Sequence, residues 1–194
     1  SKTIEVRRGQ YGDESYPATH DFSVLVGKYA YFKTNSFGSN EAAEFFESNL
    51  ENLKKLDGLV IDIRSNGGGS SNVGYRILSH LTDKVILGSK SYVRKGQPIR
   101  KAWVYSIPKW EELESYPYKV EHEEIFSKPV IVLAGAQTFS AAEDFLIAFK
   151  ELDIGLVIGE KTAGSTGQPL SISLPAGGAA RVCVKRDKYQ SGED

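Results

Sequence analysis

Apolar residues recur along the chain in short runs that alternate between two periods. Ser23–Phe32 is rich in β-formers, and Gly27-Lys28 within it predicts a tight hairpin turn. Asn40 is placed to cap a helix running to about Leu56, with Ala42, Phe45, Phe46, Leu50 and Leu53 on one face and Glu and Lys on a solvated face. Asp57-Gly58 ends it, and Leu59-Val60-Ile61-Asp62-Ile63 predicts a buried strand. A second helix follows through Val73, Tyr75, Ile77, Leu78 and Leu81. Pro129–Ala134 is another strand-like run, and Phe145, Leu146, Ala148 and Phe149 mark the helix after it. Ile154–Ile158 predicts a further buried strand. Alternation at Leu170, Ile172 and Leu174, then at Ala180, Val182 and Val184, predicts a hairpin around Pro175–Gly178. Strands alternating with helices give an α/β class with a largely parallel sheet, helices packed on it and a β-hairpin near the C-terminus.

Two regions carry a weaker pattern. Residues 1–21 are polar, with Arg7-Arg8-Gly9 and Pro17, and read as an arm or linker before a core of residues 22–194. Between 84 and 128, Val85-Ile86-Leu87 and Ser91-Tyr92-Val93 suggest short strands. Arg100–Pro117 is aromatic and charged, with Trp103, Tyr105, Trp110 and Tyr116 followed by Tyr118. This stretch reads as an excursion over the sheet, either lining a cleft or packing in the ordinary way.

Composition narrows the chemistry. The 194 residues suffice for one domain with a real core, and 40% hydrophobic with 25% charged content is typical of a globular protein. A net charge of −1 argues against broad nucleic-acid or membrane-surface binding. No apolar run approaches the roughly 20 residues of a membrane span. The chain starts at Ser1 and holds no Met, which points to a processed or cut piece of a longer protein whose other domains are expected partners. Cys183 is alone, so no internal disulfide forms; between Val182 and Val184 it reads as a small core residue. His20, His80 and His122 have no ligand-like spacing, and Glu121, Glu123 and Glu124 around His122 read as a solvated charge run. Gly159-Glu160-Lys161-Thr162 lacks the glycine spacing of a phosphate loop. Neither a metal nor a cofactor is expected.

Three loops remain, each at the C-terminal end of a predicted strand: 64–72, 135–144 and 159–169. In a parallel sheet these ends share one edge, where sites form. The first holds Gly67-Gly68-Gly69, whose bare backbone allows close approach to a ligand. The second places Ser140 where a strand turns into a helix, with backbone N–H groups aimed outward. The third offers Lys161, Thr162, Ser165 and Thr166. Nucleophile, oxyanion hole and polar support are the parts of acyl-transfer chemistry. A plainer reading exists for Ser140: Ser140-Ala141-Ala142-Glu143 fits a helix capping box, and the two roles are compatible.

Leu59–Gly69 resembles the Asp-x-Arg-x-Asn-x-Gly-Gly motif of the C-terminal processing (tail-specific) and tricorn-type serine peptidases, family S41. Thr138-Phe139-Ser140-Ala141-Ala142-Glu143 resembles that family's nucleophile motif, and Gly159-Glu160-Lys161-Thr162-Ala163-Gly164 its third. The resemblance runs from about residue 22 to the C-terminus. It implies a ClpP/crotonase-like α/β core, Ser140 as nucleophile, and an oxyanion hole from the N–H of Ala141 with that of Gly68 or, as second choice, Gly67. An extended peptide is the implied substrate, lying as an added strand beside the site. Export to the periplasm or the cell surface of a bacterium is the implied location.

The departures from the family are specific. Ser165 stands where the processing proteases carry their general-base lysine; Lys161 comes earlier in the motif and would substitute only after a loop rearrangement. The tricorn-like branch uses instead a histidine upstream of the Ser23 strand and a glutamate that would fall just past Asp194. His20 and Glu193 are poor matches for those positions. The expectation is a serine endopeptidase core whose base lies outside this chain, inactive on its own. The alternatives are a catalytically silent relative that binds peptides or hydrophobic ligands in the same cleft, and a crotonase-type acyl-CoA enzyme of the same fold.

Overall fold

The structure, a computed structural model, describes residues 19–95, 109–120 and 124–193. The arm at 1–18, Trp103, Tyr105 and the Glu121-His122-Glu123 run lie outside the described residues.

A five-stranded sheet carries the fold, in the order β1-β2-β3-β6-β7. β1 (His20–Leu25) and β2 (Tyr29–Thr34) form the antiparallel hairpin expected at Gly27, with Val26 and Gly27 at positive φ in the turn. β2, β3 (Gly58–Asp62), β6 (Val130–Ala134) and β7 (Gly155–Gly159) then run parallel. Three strands, β3, β6 and β7, therefore deliver the three glycine- and hydroxyl-rich loops to one edge, as the alternating pattern implied. α3 (Ser71–Ser79) and α4 (Ala141–Leu152) pack on each other, and their apolar faces join Phe32, Phe37 and Ile61 in one core. Burial of the fully enclosed Phe145 and Phe149 alone is worth several kcal/mol at about 25 cal/mol per Å² of apolar surface.

The helix after Asn40 does not reach Leu56. It breaks into α1 (Glu41–Ser48) and a single turn, α2 (Leu50–Leu53). Asn49 sits between them at φ −103, ψ 1, and its side-chain amide donates to the Phe45 carbonyl at 2.8 Å. An Asn that hydrogen-bonds backbone in this way competes with continued helix. The apolar face survives the break: Ala42, Phe46 and Leu53 are buried, while Phe45 and Leu50 pack at its margin.

The described parts of residues 84–128 form strands. β4 (Lys90–Arg94) pairs antiparallel with β5 (Trp110–Glu112) on one side and β10 (Lys185–Lys188) on the other. The strand expected at Val85-Ile86-Leu87 shrinks to one bridge between Ile86 and Tyr118. Trp110 and Tyr116 are exposed.

Two burial expectations fail for reasons of position. β7 is apolar but is the sheet's edge strand, so Leu156 and Ile158 stay exposed. β8 (Pro169–Ser173) and β9 (Ala179–Cys183) form the C-terminal hairpin as expected. Its register pairs Leu170 with Val182 and Ile172 with Ala180 on one face, and Pro169 with Cys183 and Ser171 with Arg181 on the other. Leu170, Ile172, Val182 and Val184 are exposed on one face and Cys183 on the other, so Cys183 is not a core residue.

One ion pair at the active edge is held by burial. Asp62, 2% exposed, accepts from Arg64 Nε (3.0 Å), Arg64 Nη2 (2.7 Å) and the Tyr31 hydroxyl (2.6 Å). Burial raises its pKa, but the hydrogen bonds from Arg64 and Tyr31 outweigh that and hold it at about 2. A depressed carboxylate contributes stability above its unfolded pKa and loses it as pH falls through the folded one. Asp62→Asn is expected to cost about 1–2 kcal/mol at neutral pH, the exposure of Arg64 limiting the value. The difference from wild type should close between pH 4 and pH 2 in urea unfolding curves; a difference that stays constant across that window contradicts the assignment.

Candidate functional site

Ser140 ends the turn between β6 and α4 with φ 52 and ψ −120. A non-glycine residue in that region is strained by about 1–3 kcal/mol, and such strain concentrates where a side chain must be aimed. Nothing in the local sequence would choose this conformation; contacts from the flanking loops impose it. Phe139 N–H donates to the Asn66 carbonyl at 2.9 Å. Thr138, fully buried, donates its hydroxyl to the Ile63 carbonyl (2.9 Å) and accepts from Gly135 N–H (3.0 Å). The turn is thereby stapled to the end of β3.

Glu143 makes the third restraint. Its buried carboxylate accepts from three backbone N–H groups: Ser140 (2.9 Å), Gly164 (2.7 Å) and Ser165 (2.9 Å). The Ser140–Glu143 bond is the glutamate half of the capping box. Ser140 and Glu143 together form the reciprocal box at the start of α4, and Ser140 also lines the cavity between the loops. The other two bonds fasten the third loop against the helix start, a role the capping reading did not include. Of the first-turn amides, Ala142 and Glu143 donate to Phe139 and Ser140 carbonyls. The Ala141 N–H has no such partner and belongs to the donors that every helix start leaves open.

The glycine loop abuts the same spot. Gly68 has φ 90, and a Cβ on it would lie 2.8 Å from Ser140 Cβ and 2.6 Å from the Phe139 carbonyl oxygen. Only glycine lets the loop approach the serine so closely. The Gly68 N–H donates to Asn66 Oδ1 (2.9 Å) and the Gly67 N–H to the Asn35 carbonyl (3.1 Å). Asn66, wholly buried, anchors itself through Nδ2 on the Thr34 carbonyl at 3.3 Å.

These loops enclose a cavity of about 580 Å³ whose lining includes Ser140, Ala141, Gly67 and Ser165. Lys161 is exposed and outside the lining. Ser165 faces Cys183, with Oγ and Sγ 3.9 Å apart. Among the described histidines, His20 bonds Thr34 Oγ1 (3.0 Å) on β2 and His80 bonds Glu47 (3.1 Å); neither lines the cavity. Of the aromatic stretch, no described residue lines it either.

Sequence reasoning missed the far wall. Asp144, Arg181 and Lys185 also face the cavity. Asp144 accepts from Ser71 Oγ (2.6 Å) and Ser89 Oγ (3.3 Å). Burial is the main cause that pushes its pKa up; the Ser71 hydroxyl opposes the shift, nearby Asp187 adds to it, and Lys185 offsets part. Lys185 Nζ pairs with Asp187 Oδ1 (3.2 Å) and donates to Ser91 Oγ (3.1 Å). The signal available in the sequence was the alternation Arg181, Cys183, Lys185, which places all three on one strand face.

The chain resembles known proteins in sequence and in fold. The sequence pattern of peptidase family S41 matches residues 28–194. The chloroplastic C-terminal processing peptidase of Tetradesmus obliquus is 30% identical over 165 residues, covering 84% of this chain and 32% of that protein. The carboxy-terminal processing protease CtpA of Bacillus subtilis is 24% identical, covering 98% of this chain and 39% of that protein. This chain thus spans about a third of the length of these relatives. Among solved structures, a peptidase of Parabacteroides merdae superposes with a TM-score of 0.72 at 22% identity, covering 92% of this chain and 56% of that one. The photosystem II D1 C-terminal processing protease superposes with a TM-score of 0.60 at 25% identity, covering 92% and 45%.

Glu143→Ala leaves three amides without their acceptor in a buried setting and is expected to destabilise the chain by about 2–4 kcal/mol. Amide hydrogen exchange should accelerate selectively at Gly164 and Ser165. Unchanged protection at those two positions would show that the third loop is held by something else. Gly68→Ala is expected to force the glycine loop off Ser140, which circular dichroism melts would read as a lowered Tm.

Proposed function

The chain belongs to peptidase family S41, and from that premise we propose that it is the core of a serine endopeptidase with Ser140 as its nucleophile. The observation that carries the reading is the strained Ser140 backbone at the start of α4, which sets the serine on the cavity next to Ala141. In this mechanism Ser140 Oγ attacks the carbonyl carbon of an extended peptide. The developing oxyanion takes the Ala141 N–H and the Gly68 N–H, the latter turning from Asn66 Oδ1 as negative charge appears. Gly67 is the second choice for that donor. Such donors are each worth roughly 2.7–4 kcal/mol in the transition state. Collapse of the tetrahedral intermediate expels the amine, and water then releases the acyl group from Ser140.

The general base is the missing group. Ser165 occupies the position of the processing proteases' lysine, Lys161 lies off the cavity, and Lys185 is engaged by Asp187. We place the base outside this 194-residue chain, as in a tricorn-like arrangement, with a histidine upstream and a glutamate downstream. The 194-residue chain alone then has little or no peptidase activity, because an unassisted serine hydroxyl is a weak nucleophile. Its substrate is a peptide or protein, and its setting is the periplasm or cell surface of a bacterium. The same absence of a base beside Ser140 favours a second reading, a silent relative that binds peptides in this cleft.

A fluorophosphonate probe distinguishes the two. Applied to the natural protein tagged at its own locus, it should label wild type and leave Ser140→Ala unlabelled. Equal labelling of both, or of neither, removes the peptidase reading. The isolated 194-residue chain should turn over a casein substrate at least about 100-fold more slowly, which follows from losing general-base assistance.

A further inference from the structure

The wall opposite Ser140 is built by one strand face. Arg181, Cys183 and Lys185 alternate along β9 and into β10, and all three line the cavity. The charges on this wall differ in how they are satisfied. Lys185 is mostly buried and bound to Asp187 and Ser91. Asp144, the carboxylate in the lining, is buried and receives two serine hydroxyls. Asp187, whose side chain is fully buried, lies behind Lys185 rather than in the lining. Arg181 is exposed, and its side chain forms no ion pair or hydrogen bond with any described residue. A ligand entering the cavity therefore meets negative charge that is already enclosed and one guanidinium that is open. A guanidinium offers a planar fork of donors that matches a carboxylate. The Ala141 N–H at the start of α4 adds a partial positive charge on the Ser140 side.

Resting on the reading of Ser140 as a nucleophile, we propose that this cavity is a subsite for a substrate carboxylate, recognised by Arg181. The carboxylate belongs either to an Asp or Glu side chain near the scissile bond or to the free C-terminus of the peptide. Lys185 does not serve this role, because its ammonium is neutralised by Asp187. Specificity follows from two terms: the Arg181 pairing favours an acidic group, and the open guanidinium repels a basic one.

The test uses the natural protein and fluorescein-labelled alanine-based octapeptides carrying a single Glu, Gln or Lys at each position in turn, each with a free or an amidated C-terminus. Anisotropy titrations at low salt should rank Glu over Gln over Lys at one position, with about tenfold between the extremes. Arg181→Glu should invert that order, and Arg181→Lys should preserve it in weaker form. Loss of binding on amidation, with no effect of the internal residue, assigns the carboxylate to the C-terminus; the opposite pattern assigns it to a side chain. Binding that ignores peptide charge altogether, an unchanged ranking in Arg181→Glu, or no binding by any peptide overturns the subsite. Fluorophosphonate labelling of Ser140 in the same preparations separates the two levels: if it persists, only the subsite fails, and if it is absent, the nucleophile reading fails with it.

Discussion

One buried carboxylate holds the catalytic edge together. Glu143 collects the N–H groups of Ser140, Gly164 and Ser165 within 2.7–2.9 Å. Each bond pairs a carboxylate oxygen with a backbone amide at a buried site. The first fixes the strained serine at the helix start, and the other two draw in a loop from the end of β7. Remove the carboxylate, and the geometry of Ser140 and the wall of the cavity loosen at once. The strain at Ser140 is sustained from outside the residue, by Glu143, Thr138 and the glycine loop, as expected where a backbone conformation serves a purpose.

The parallel sheet makes this convergence possible. β3, β6 and β7 run the same way, so the loops leaving them meet at one edge although they are some 70 to 100 residues apart in sequence from first to last. Gly68 supplies the fit between the first two loops, and Glu143 the join between the second and third. The far wall comes from a different source: a strand that leaves the β8–β9 hairpin and pairs with β4 in a second sheet. The site is therefore framed by three sheets: the largely parallel one leads to Ser140, the β8–β9 pair carries Arg181 and Cys183, and β10 beside β4 carries Lys185.

Much of this was legible in the chain itself. Period-two and helical apolar patterns located the parallel strands, α3 and α4, because those elements are buried and their burial dictates residue type. The three loops announced themselves through glycine and hydroxyl content. What failed was whatever depends on neighbours. Leu156 and Ile158 resemble core residues, yet β7 lies at the sheet edge, and edge position is a property of topology. Cys183 resembles a core residue, yet the β8–β9 hairpin leaves it exposed along with its neighbours Val182 and Val184. The break at Asn49 depends on one side-chain hydrogen bond that competes with the helix. Glu143 was read as a cap, but its two longer-range bonds could not be inferred from a four-residue pattern.

The account turns on whether Ser140 and its surroundings form an oxyanion-binding site. The most direct measurement is a crystal structure of the natural protein after reaction with a fluorophosphonate. The predicted result is a covalent bond from Ser140 Oγ to phosphorus, with the phosphonyl oxygen about 3 Å from the amide nitrogens of Ala141 and Gly68. An adduct on another residue, or a phosphonyl oxygen turned to solvent with Gly68 still bound to Asn66, would contradict it.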